Sequence, residues 1–449
     1  MRLLGLSPAL IAPDTVQAVF ADAATVQAML DFEAALAQAE AAHGVIPADA
    51  AGPIAAACRA GLYDLDALAV AARRAGTVAI PLAKLLGEQV RASDPGAAGW
   101  VHFGATSQDV IDTGLVLQLR QATALILADA RHITAHLRRI VQAHALTPML
   151  GRTLLQPGPP ITFGLKAAGW LGAIERGTAR LDAAAAAAVV LQFGGAVGTL
   201  AALGTQGIAV SRALGAALGL PVPPAPWHGH RDRLAAFASA AAILAGSCGK
   251  IARDVSLMMQ AELAEVAEPV SAGRGGSSTM PHKRNPVASI TALSAASRLP
   301  GLLAAVMTGM TAEHERAAGG WQAEASLLAE ICLATAGAVS ATAESLAGLT
   351  VDPAAMARNL AALRGLVLAE RLMLALAPSL GRAAAHELVE SLVPRCTPET
   401  TLRDVAAATP AVADALGAGL DEIFDPAGYL GSTSDLIARS LEGDAQCRS

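Results

Sequence analysis

Aromatic residues are scarce in this chain: they make up 3% of its 449 residues, although 53% are hydrophobic. Alanine and leucine must therefore fill the interior. Strands favour β-branched and aromatic residues, whereas small side chains suit closely packed helices. The composition predicts an all-α protein, and the length predicts two or three domains that share a large core.

The chain also has no basic surplus and no cysteine framework. Its net charge of -6 provides no positive field for nucleic acid or for an anionic membrane. Its 5 cysteines form no Cys-x-x-Cys pair and are typical of a reducing compartment. No basic segment with an apolar run and a cleavage site opens the sequence. We therefore expect a cytoplasmic protein that binds neither nucleic acid nor membrane, with its apolar helices buried.

Helix signals dominate the chain, and no alternating strand pattern is evident. Asp14 with Gln17 predicts a capping box, followed by a helix that ends near Gly44. Shorter helices fit residues 65–74 and 82–91. The long helical windows, several of them near thirty residues, are predicted at 106–144, 161–191, 232–265, 287–310 and 322–347.

Helix length changes along the chain, and this change predicts three segments. Residues 1–104 carry short helices and form an N-terminal helical domain. Residues 105–351 carry the long ones, which point to an elongated central bundle because they exceed the average helix of about 11–12 residues. Residues 352–449 return to short helices in a C-terminal domain.

The most informative segment is GRGGSSTMPHKRNP, residues 273–286. Glycines together with Ser277 and Ser278 give it little conformational preference, and Asn285-Pro286 suit the start of a helix. Exposed N–H groups at a helix N-terminus attract anions, and Lys283 adds a cation. We therefore expect a bound anion here, although composition alone also fits a solvated linker.

Two further polar loops precede predicted helices. In VHFGATSQDVIDTG, residues 101–114, Ser107 and Gln108 could meet a carboxylate, although helix capping by Thr106 or Ser107 is the simpler alternative. In GRTLLQPGPP, residues 151–160, Arg152 could hold a carboxylate through its guanidinium fork, or could form a structural ion pair.

The string Gly-Ser-Ser-x-Met-Pro-x-Lys-x-Asn at residues 276–285 resembles the signature of the fumarase/aspartase superfamily, and the three loops occur in that family's order. The resemblance implies all-α homotetramers with a central long-helix bundle and active sites shared between subunits. Segments such as VHFGATSQDVIDTGLVLQLR and PWHGHRDRL resemble the bacterial 3-carboxy-cis,cis-muconate cycloisomerases in particular. Those enzymes lactonise their substrate to 4-carboxymuconolactone in protocatechuate degradation.

The resemblance also implies site residues for a small polycarboxylate substrate, with no metal and no cofactor. Ser277 would carry the proton at carbon, and Lys283 would assist it. The residues implied in substrate binding are His102, Thr106, Ser107, Gln108, Arg152, Thr153, Gln156, His228, Ser278, Met280, Asn285 and Arg316.

One departure from the family pattern favours lactone chemistry. Fumarases and related C–N lyases have a histidine after Arg-Thr, where this chain has Leu154. An amine leaves best when it is protonated. A carboxylic acid, with a pKa of about 4, needs no such help. His102 or His228 could still replace the missing histidine.

Two other functions stay open from the sequence. An adenylosuccinate-lyase-like C–N lyase shares the HFGATSQDVIDT and MPHKRNP segments, but Arg2 is followed by Leu3 rather than by the tyrosine expected for phosphate binding. A catalytically silent helical scaffold is the third possibility. The presence of Ser277, Lys283 and Asn285 argues against it.

Overall fold

Helices make up most of the fold. The computed structural model describes residues 11–270, 275–276, 279–280 and 283–443. The helices up to the glycine-rich loop are α1 (Asp14–Val19), α2 (Asp22–Ala42), α3 (Ala51–Ala57), α4 (Leu65–Ala75), α5 (Ala79–Ser93), α6 (Ser107–Ala143), α7 (Phe163–Ala188), α8 (Gly207–Leu218) and α9 (Asp232–Met258). Those after it are α10 (Val287–Thr308), α11 (Gly320–Ala347), α12 (Pro353–Ala361), α13 (Ala369–Leu380), α14 (Arg382–Leu392), α15 (Leu402–Ala407), α16 (Pro410–Leu416), α17 (Leu420–Ile423) and α18 (Thr433–Glu442).

The first predicted helix is in fact two helices. The α1 helix starts at Asp14 itself, after Pro13, and no side chain caps it. Gln17 donates instead to the carbonyl of Ala12 at 2.7 Å, so the predicted capping box is wrong. The chain leaves the helical path at Phe20 and Ala21 before α2 begins.

A β-hairpin replaces the loop predicted at residues 151–160. Strand β1 (Pro148–Thr153) pairs antiparallel with β2 (Gln156–Thr162), so the expectation of no strand is wrong. Strand β2 was not predicted because it contains three prolines, and proline is rare in strands since it cannot donate a hydrogen bond to the neighbouring strand. Gly151 lies at a register shift where a Cβ would come within 2.4 Å of the Pro159 carbonyl oxygen, so the hairpin needs a glycine there. A second, two-residue pairing joins β3 (Val266–Ala267) to β4 (Thr350–Val351).

The tip of this hairpin is unusual. Leu154 and Leu155 both have positive φ, 51° and 63°. Their side chains are 97% and 82% exposed. Tight two-residue turns of this kind favour asparagine and glycine, because a Cβ is disfavoured at positive φ. Leu154, the residue at the family histidine position, therefore contacts little within its own chain.

The chain divides into two compact units, neither of them continuous in sequence. The first unit comprises the described residues of Met1–Arg131, Arg176–Lys250 and Thr291–Thr342. The second comprises those of His132–Glu175, Ile251–Ile290 and Ala343–Ser449. In the second unit the short C-terminal helices pack around one apolar cluster that includes Leu372, Leu376, Leu392, Leu402 and Val412.

Four of the described helices are long and apolar enough to cross a membrane by length and composition alone. Three of them, α6, α9 and α11, bury between 56% and 72% of their apolar windows within the chain. Only 22% of the window in α10 is buried. The α10 helix therefore presents an apolar surface that the single chain leaves open.

Candidate active site

Asp109 organises the loop that leads into α6. Its carboxylate accepts hydrogen bonds from the backbone N–H groups of Thr106, Gly194 and Gly195 at 2.9–3.0 Å. It also binds Nε2 of His228 at 2.7 Å. The carboxylate is fully buried, and these four hydrogen bonds fix its position. Asp109 therefore joins the loop before α6 to His228.

Gly194 permits this arrangement by its lack of a side chain. A Cβ at residue 194 would lie 2.8 Å from Cε1 of His228 and 2.7 Å from Cγ of Pro226. No alanine fits at these distances without displacing the ring or the proline. The position of His228 thus depends on a glycine that is 34 residues away in sequence.

Four other predicted site residues lie around the same loop. The amide of Gln108 donates to the carbonyl of His228 at 2.9 Å, and the Gln108 side chain is buried. The hydroxyl of Thr106 accepts a hydrogen bond from the guanidinium of Arg316. Ser107 is the first residue of α6 and is half-buried. The structure thus brings Thr106, Gln108, His228 and Arg316 together around the loop before α6.

His102 has a separate carboxylate partner, Glu33 on α2. Nδ1 of His102 lies 2.6 Å from Oε1 of Glu33, whose side chain is 3% exposed. Burial by itself lowers the pKa of His102, but the charge and hydrogen bond of Glu33, together with the charge of Asp109, raise it above its ordinary value. The backbone of His102 is left-handed, with φ of 59°.

A buried ion network anchors the segment that follows His228. Arg231 donates to both oxygens of Asp112 at 2.7 and 3.0 Å, and it also binds the carboxylate of Glu324. All three side chains are at most 3% exposed. Trp321 donates to Asp112 at 2.9 Å. These contacts tie α6 to the starts of α9 and α11 within the first unit.

A cavity of about 790 Å³ opens beside the glycine-rich loop in the second unit. Three predicted site residues, Met280, Lys283 and Asn285, line it together with Arg284 and Asp352. Lys283 is exposed and half-buried Asn285 is fixed by its backbone, which donates to the carbonyl of Gly275 at 2.8 Å. The cavity therefore presents a cation and an amide to solvent, as a carboxylate site requires.

The helix N-terminus next to this cavity is already occupied by a carboxylate of the chain itself. Glu268 accepts hydrogen bonds from the N–H groups of Ala288 and Ser289 at 3.0 and 2.8 Å. The hydroxyls of Ser289 and Ser345 add two more, at 2.6 and 3.1 Å. The expectation that these N–H groups bind a substrate anion is therefore wrong, because a buried glutamate satisfies them first.

Arg152 forms the structural ion pair that the sequence left open. Its guanidinium donates to both oxygens of Glu265, at 2.7 and 3.0 Å, and Glu265 is fully buried. Asn359 donates to the same carboxylate at 2.9 Å. The side chain of Arg152 stays 24% exposed, so one edge of the hairpin keeps a fixed cation at its surface.

The remaining predicted residues fall elsewhere. Thr153 and Gln156 pair with each other next to the hairpin tip and are exposed, and neither lines the cavity. Ser277 and Ser278 lie outside the described residues. Their predicted roles as proton carrier and substrate contact therefore stay predictions.

Sequence reasoning missed the buried carboxylates that hold these side chains. The contact of Asp109 with Thr106 could have been predicted, because Thr106-x-x-Asp109 has the spacing of a capping box. The others had only the weaker signal of an acidic residue within an apolar run. They are Glu33, Asp112, Glu265, Glu268 and Glu324.

In the described part of the chain, no three His, Cys, Asp or Glu side chains cluster in a way that could hold a metal ion. The described residues offer two carboxylate-bound histidines in the first unit and a cation-lined cavity in the second. Such groups bind carboxylates and stabilise negative charge that develops on them.

Comparisons with known proteins agree with this chemistry. Residues 11–301 match the family described as lyase, and residues 365–440 match the adenylosuccinate lyase C-terminus. The 3-carboxy-cis,cis-muconate cycloisomerase of Pseudomonas aeruginosa is 52% identical, over 95% of this chain and 93% of the relative. That of Bradyrhizobium diazoefficiens is 49% identical, over 97% and 98%.

A solved structure extends the similarity to the fold. The crystal structure of 3-carboxy-cis,cis-muconate lactonizing enzyme from Pseudomonas putida matches with a TM-score of 0.93 at 45% identity, over 99% of this chain and 100% of that one. The similarity covers both compact units. The chain therefore belongs to the lyase family of the fumarase/aspartase superfamily.

Proposed function

We propose that this chain is a cycloisomerase that converts 3-carboxy-cis,cis-muconate to 4-carboxymuconolactone, in the protocatechuate branch of aromatic degradation. The observation that carries the proposal is similarity over nearly the full length to relatives with this activity, at 52% and 49% identity. The alternative is an adenylosuccinate-lyase-like C–N lyase, which the match at residues 365–440 keeps in view.

The reaction takes up one proton for each substrate molecule. A carboxylate oxygen of the substrate attacks an alkene carbon, and a proton is added to the carbon next to another carboxylate. Three carboxylates become two and a lactone, so the product carries one negative charge fewer. The enzyme must stabilise an enediolate-like dianion at the carbon that gains the proton.

The residues around the cavity suit this task. Lys283 and Asn285 line it and can bind the carboxylate on which charge accumulates. Ser277 lies six residues before Lys283, and we assign it the transfer of the proton to carbon. A serine alkoxide requires a cationic environment with little water, which Lys283 can provide.

Leu154 supports lactone closure over C–N cleavage. The leaving or attacking group of this reaction is a carboxylate, which needs neither acid nor base at the position of the family histidine. Leu154 is almost fully exposed at the hairpin tip, where it contacts little of its own chain. We propose that it meets the substrate of a neighbouring copy.

We propose further that the protein is a soluble, cytoplasmic homotetramer, with the three polar loops of each active site contributed by different copies. The apolar surface of α10, of which only 22% is buried within the chain, supports a shared bundle. The three-segment division at residues 104 and 351 goes with this arrangement, the central segment forming the bundle.

A substrate screen tests the function. Purified protein is mixed separately with 3-carboxy-cis,cis-muconate, adenylosuccinate and argininosuccinate, and turnover is followed by ultraviolet absorbance. We expect only the muconate to react, with one proton taken up per turnover in a pH-stat. Cleavage of either succinate with no effect on the muconate would contradict the proposal, and inactivity on all three would favour the silent scaffold.

Two lysine variants connect the activity to the cavity. Lys283→Met should lower both kcat and the affinity for substrate, because the cation faces negative charge in the ground and transition states. Lys84→Met is the matched control, since Lys84 is 77% exposed and pairs with Glu88 on its own helix. The control should keep wild-type kinetics.

A further inference from the structure

The first unit contains two carboxylate-bound histidines with different access to solvent. His228 is 3% exposed, and its partner Asp109 is fully buried with four hydrogen-bond donors around it. The ring of His102 is 21% exposed, although Glu33 beneath it is only 3% exposed. His102 is therefore the histidine that can bring a ring nitrogen to a ligand.

Glu33 fixes the orientation of this ring. Its Oε1 lies 2.6 Å from Nδ1 of His102, and a carboxylate can only accept, so Nδ1 carries a proton. Nε2 is then the ring nitrogen that remains for a ligand. The left-handed backbone of His102, with φ of 59°, is a conformation that persists only where surrounding contacts enforce it.

The charges around His102 are negative. Glu33 and Asp109 both raise the pKa of the imidazole, which outweighs the lowering by burial. Burial, and next the charge of Glu33, raise the pKa of the Cys58 thiol, so Cys58 adds no charge of its own. The charges of Glu33 and Asp109 thus favour the protonated imidazolium form of His102.

Glu40, two helical turns beyond Glu33 on α2, does not add to this negative charge. Glu40 is fully buried, and neither of its oxygens has a hydrogen-bond partner among the described residues. Burial and then the charge of Glu33 raise its pKa to about 8, so Glu40 is neutral at pH 7. This face of α2 therefore holds one negative charge, and it lies under His102.

We propose that Glu33 is a positioning residue, which holds His102 as an imidazolium with Nε2–H directed at a carboxylate of the substrate. This inference rests on the proposed function for the identity of that carboxylate. It assigns to α2, a helix outside the three polar loops, a part in substrate recognition.

The test compares two buried glutamates on the same face of one helix. In Glu33→Gln the amide can donate to Nδ1, which favours the neutral Nε2–H tautomer of His102. Glu40→Gln replaces a neutral acid by a neutral amide of the same shape and is the matched control. For each full-length protein, ¹⁵N-labelled histidine spectra are recorded from pH 5 to 9, and kcat/KM is measured over the same range.

We expect Glu33→Gln to lower the pKa of His102 by about one unit or more, the usual effect of an adjacent opposite charge. Above that pKa the imidazolium fraction falls about tenfold for each unit, so kcat/KM at pH 8 should fall about tenfold or more. The alkaline limb of the pH profile should move by the same amount as the pKa. Glu40→Gln should leave both unchanged below pH 7.5.

An unchanged His102 pKa in Glu33→Gln would overturn the inference, as would a lowered pKa that leaves the kcat/KM profile in place. If Glu33→Gln does not fold, Glu33→Asp provides the test. This variant keeps the negative charge, so the pKa of His102 should stay raised. A His102 pKa that falls to its ordinary value would contradict the inference. Wild-type protein that does not lactonise would defeat the proposed function. Spectra of the same sample with and without the tricarboxylate would then still report whether His102 meets it.

Discussion

The carboxylate of Glu268 accepts hydrogen bonds from both the backbone N–H and the hydroxyl of Ser289, at 2.8 and 2.6 Å. This pair closes the first turn of α10, which follows the glycine-rich loop. The anion that the helix N-terminus attracts is therefore part of the protein, and the cation of Lys283 before it lines the neighbouring cavity.

Removal of the Glu268 side chain should destabilise the protein. Glu268→Ala leaves two N–H groups and two hydroxyls without their acceptor in a buried place, a loss on the order of 3 kcal/mol. Glu268→Gln keeps one acceptor oxygen and should lose less. Thermal unfolding at one protein concentration measures both, and equal melting temperatures for Glu268→Ala and wild type would contradict the capping role.

Ser277→Ala tests the proton carrier. Removal of a hydroxyl from a glycine-rich loop costs little packing, so the melting temperature should stay close to that of wild type. Turnover should nevertheless fall by about 10²–10⁴-fold, the usual contribution of a positioned proton-transfer group. Ser391→Ala is the matched control, because Ser391 is exposed on α14 and its hydroxyl donates only to the carbonyl of Leu388 among the hydrogen bonds described. Wild-type turnover in Ser277→Ala would move the proton-transfer role to Ser278, His102 or His228.

Leu154→His introduces the histidine of the related lyases at a position where lactonisation requires no proton transfer. The hairpin tip is open, so stability should change by no more than about 0.5 kcal/mol. Lactonisation should not become faster, because no group in that reaction needs a proton at this position. Steady-state kcat is the measurement, with Leu155→His as the neighbouring control. A many-fold increase in kcat would show that our reason for the missing histidine is wrong.

Glu40 should make stability depend on pH. The folded state raises its pKa from 4.5 to about 8, so between these values the folded protein binds a proton that the unfolded chain has released. Stability from this group is therefore complete below pH 4.5 and declines by about 1.4 kcal/mol per unit as pH rises towards 8.

Glu40→Gln should remove this decline. Its melting temperature should exceed that of wild type at pH 8 and come close to it near pH 5. Glu88→Gln, which alters a side chain that is 51% exposed, serves as the surface control. If wild type and Glu40→Gln lose stability in parallel from pH 5 to pH 8, Glu40 is not a buried neutral acid.

Helices were predictable because their ends are encoded locally. The start of α6 follows from Thr106 and Ser107, and α10 starts at Val287 as the Asn285-Pro286 pair indicates. The β-hairpin was not predictable in this way. Its strands contain Gly151 and several prolines, and their pairing depends on a close approach of Gly151 to Pro159 that no periodic pattern encodes.

The loops of the candidate site were predictable from the sequence, but the buried carboxylates that hold their side chains were not. The polar residues of the three loops stand out from an apolar sequence. Their partners do not, since Arg152 meets Glu265 across 113 residues and His102 meets Glu33 across 69. An ion pair of this kind is specified by the fold as a whole, and a single sequence gives no measure of which charges meet.

The hairpin tip has a consequence for the engineering of this protein. Leu154 and Leu155 each adopt a left-handed backbone that costs roughly 1–2 kcal/mol for a residue with a Cβ. Their exposed side chains regain almost none of it by burial within the chain. If the monomer were selected for thermostability alone, Asn-Gly would therefore replace Leu154-Leu155. At residue 154, the stability of the monomer and the substrate contact that we propose across copies therefore require different amino acids.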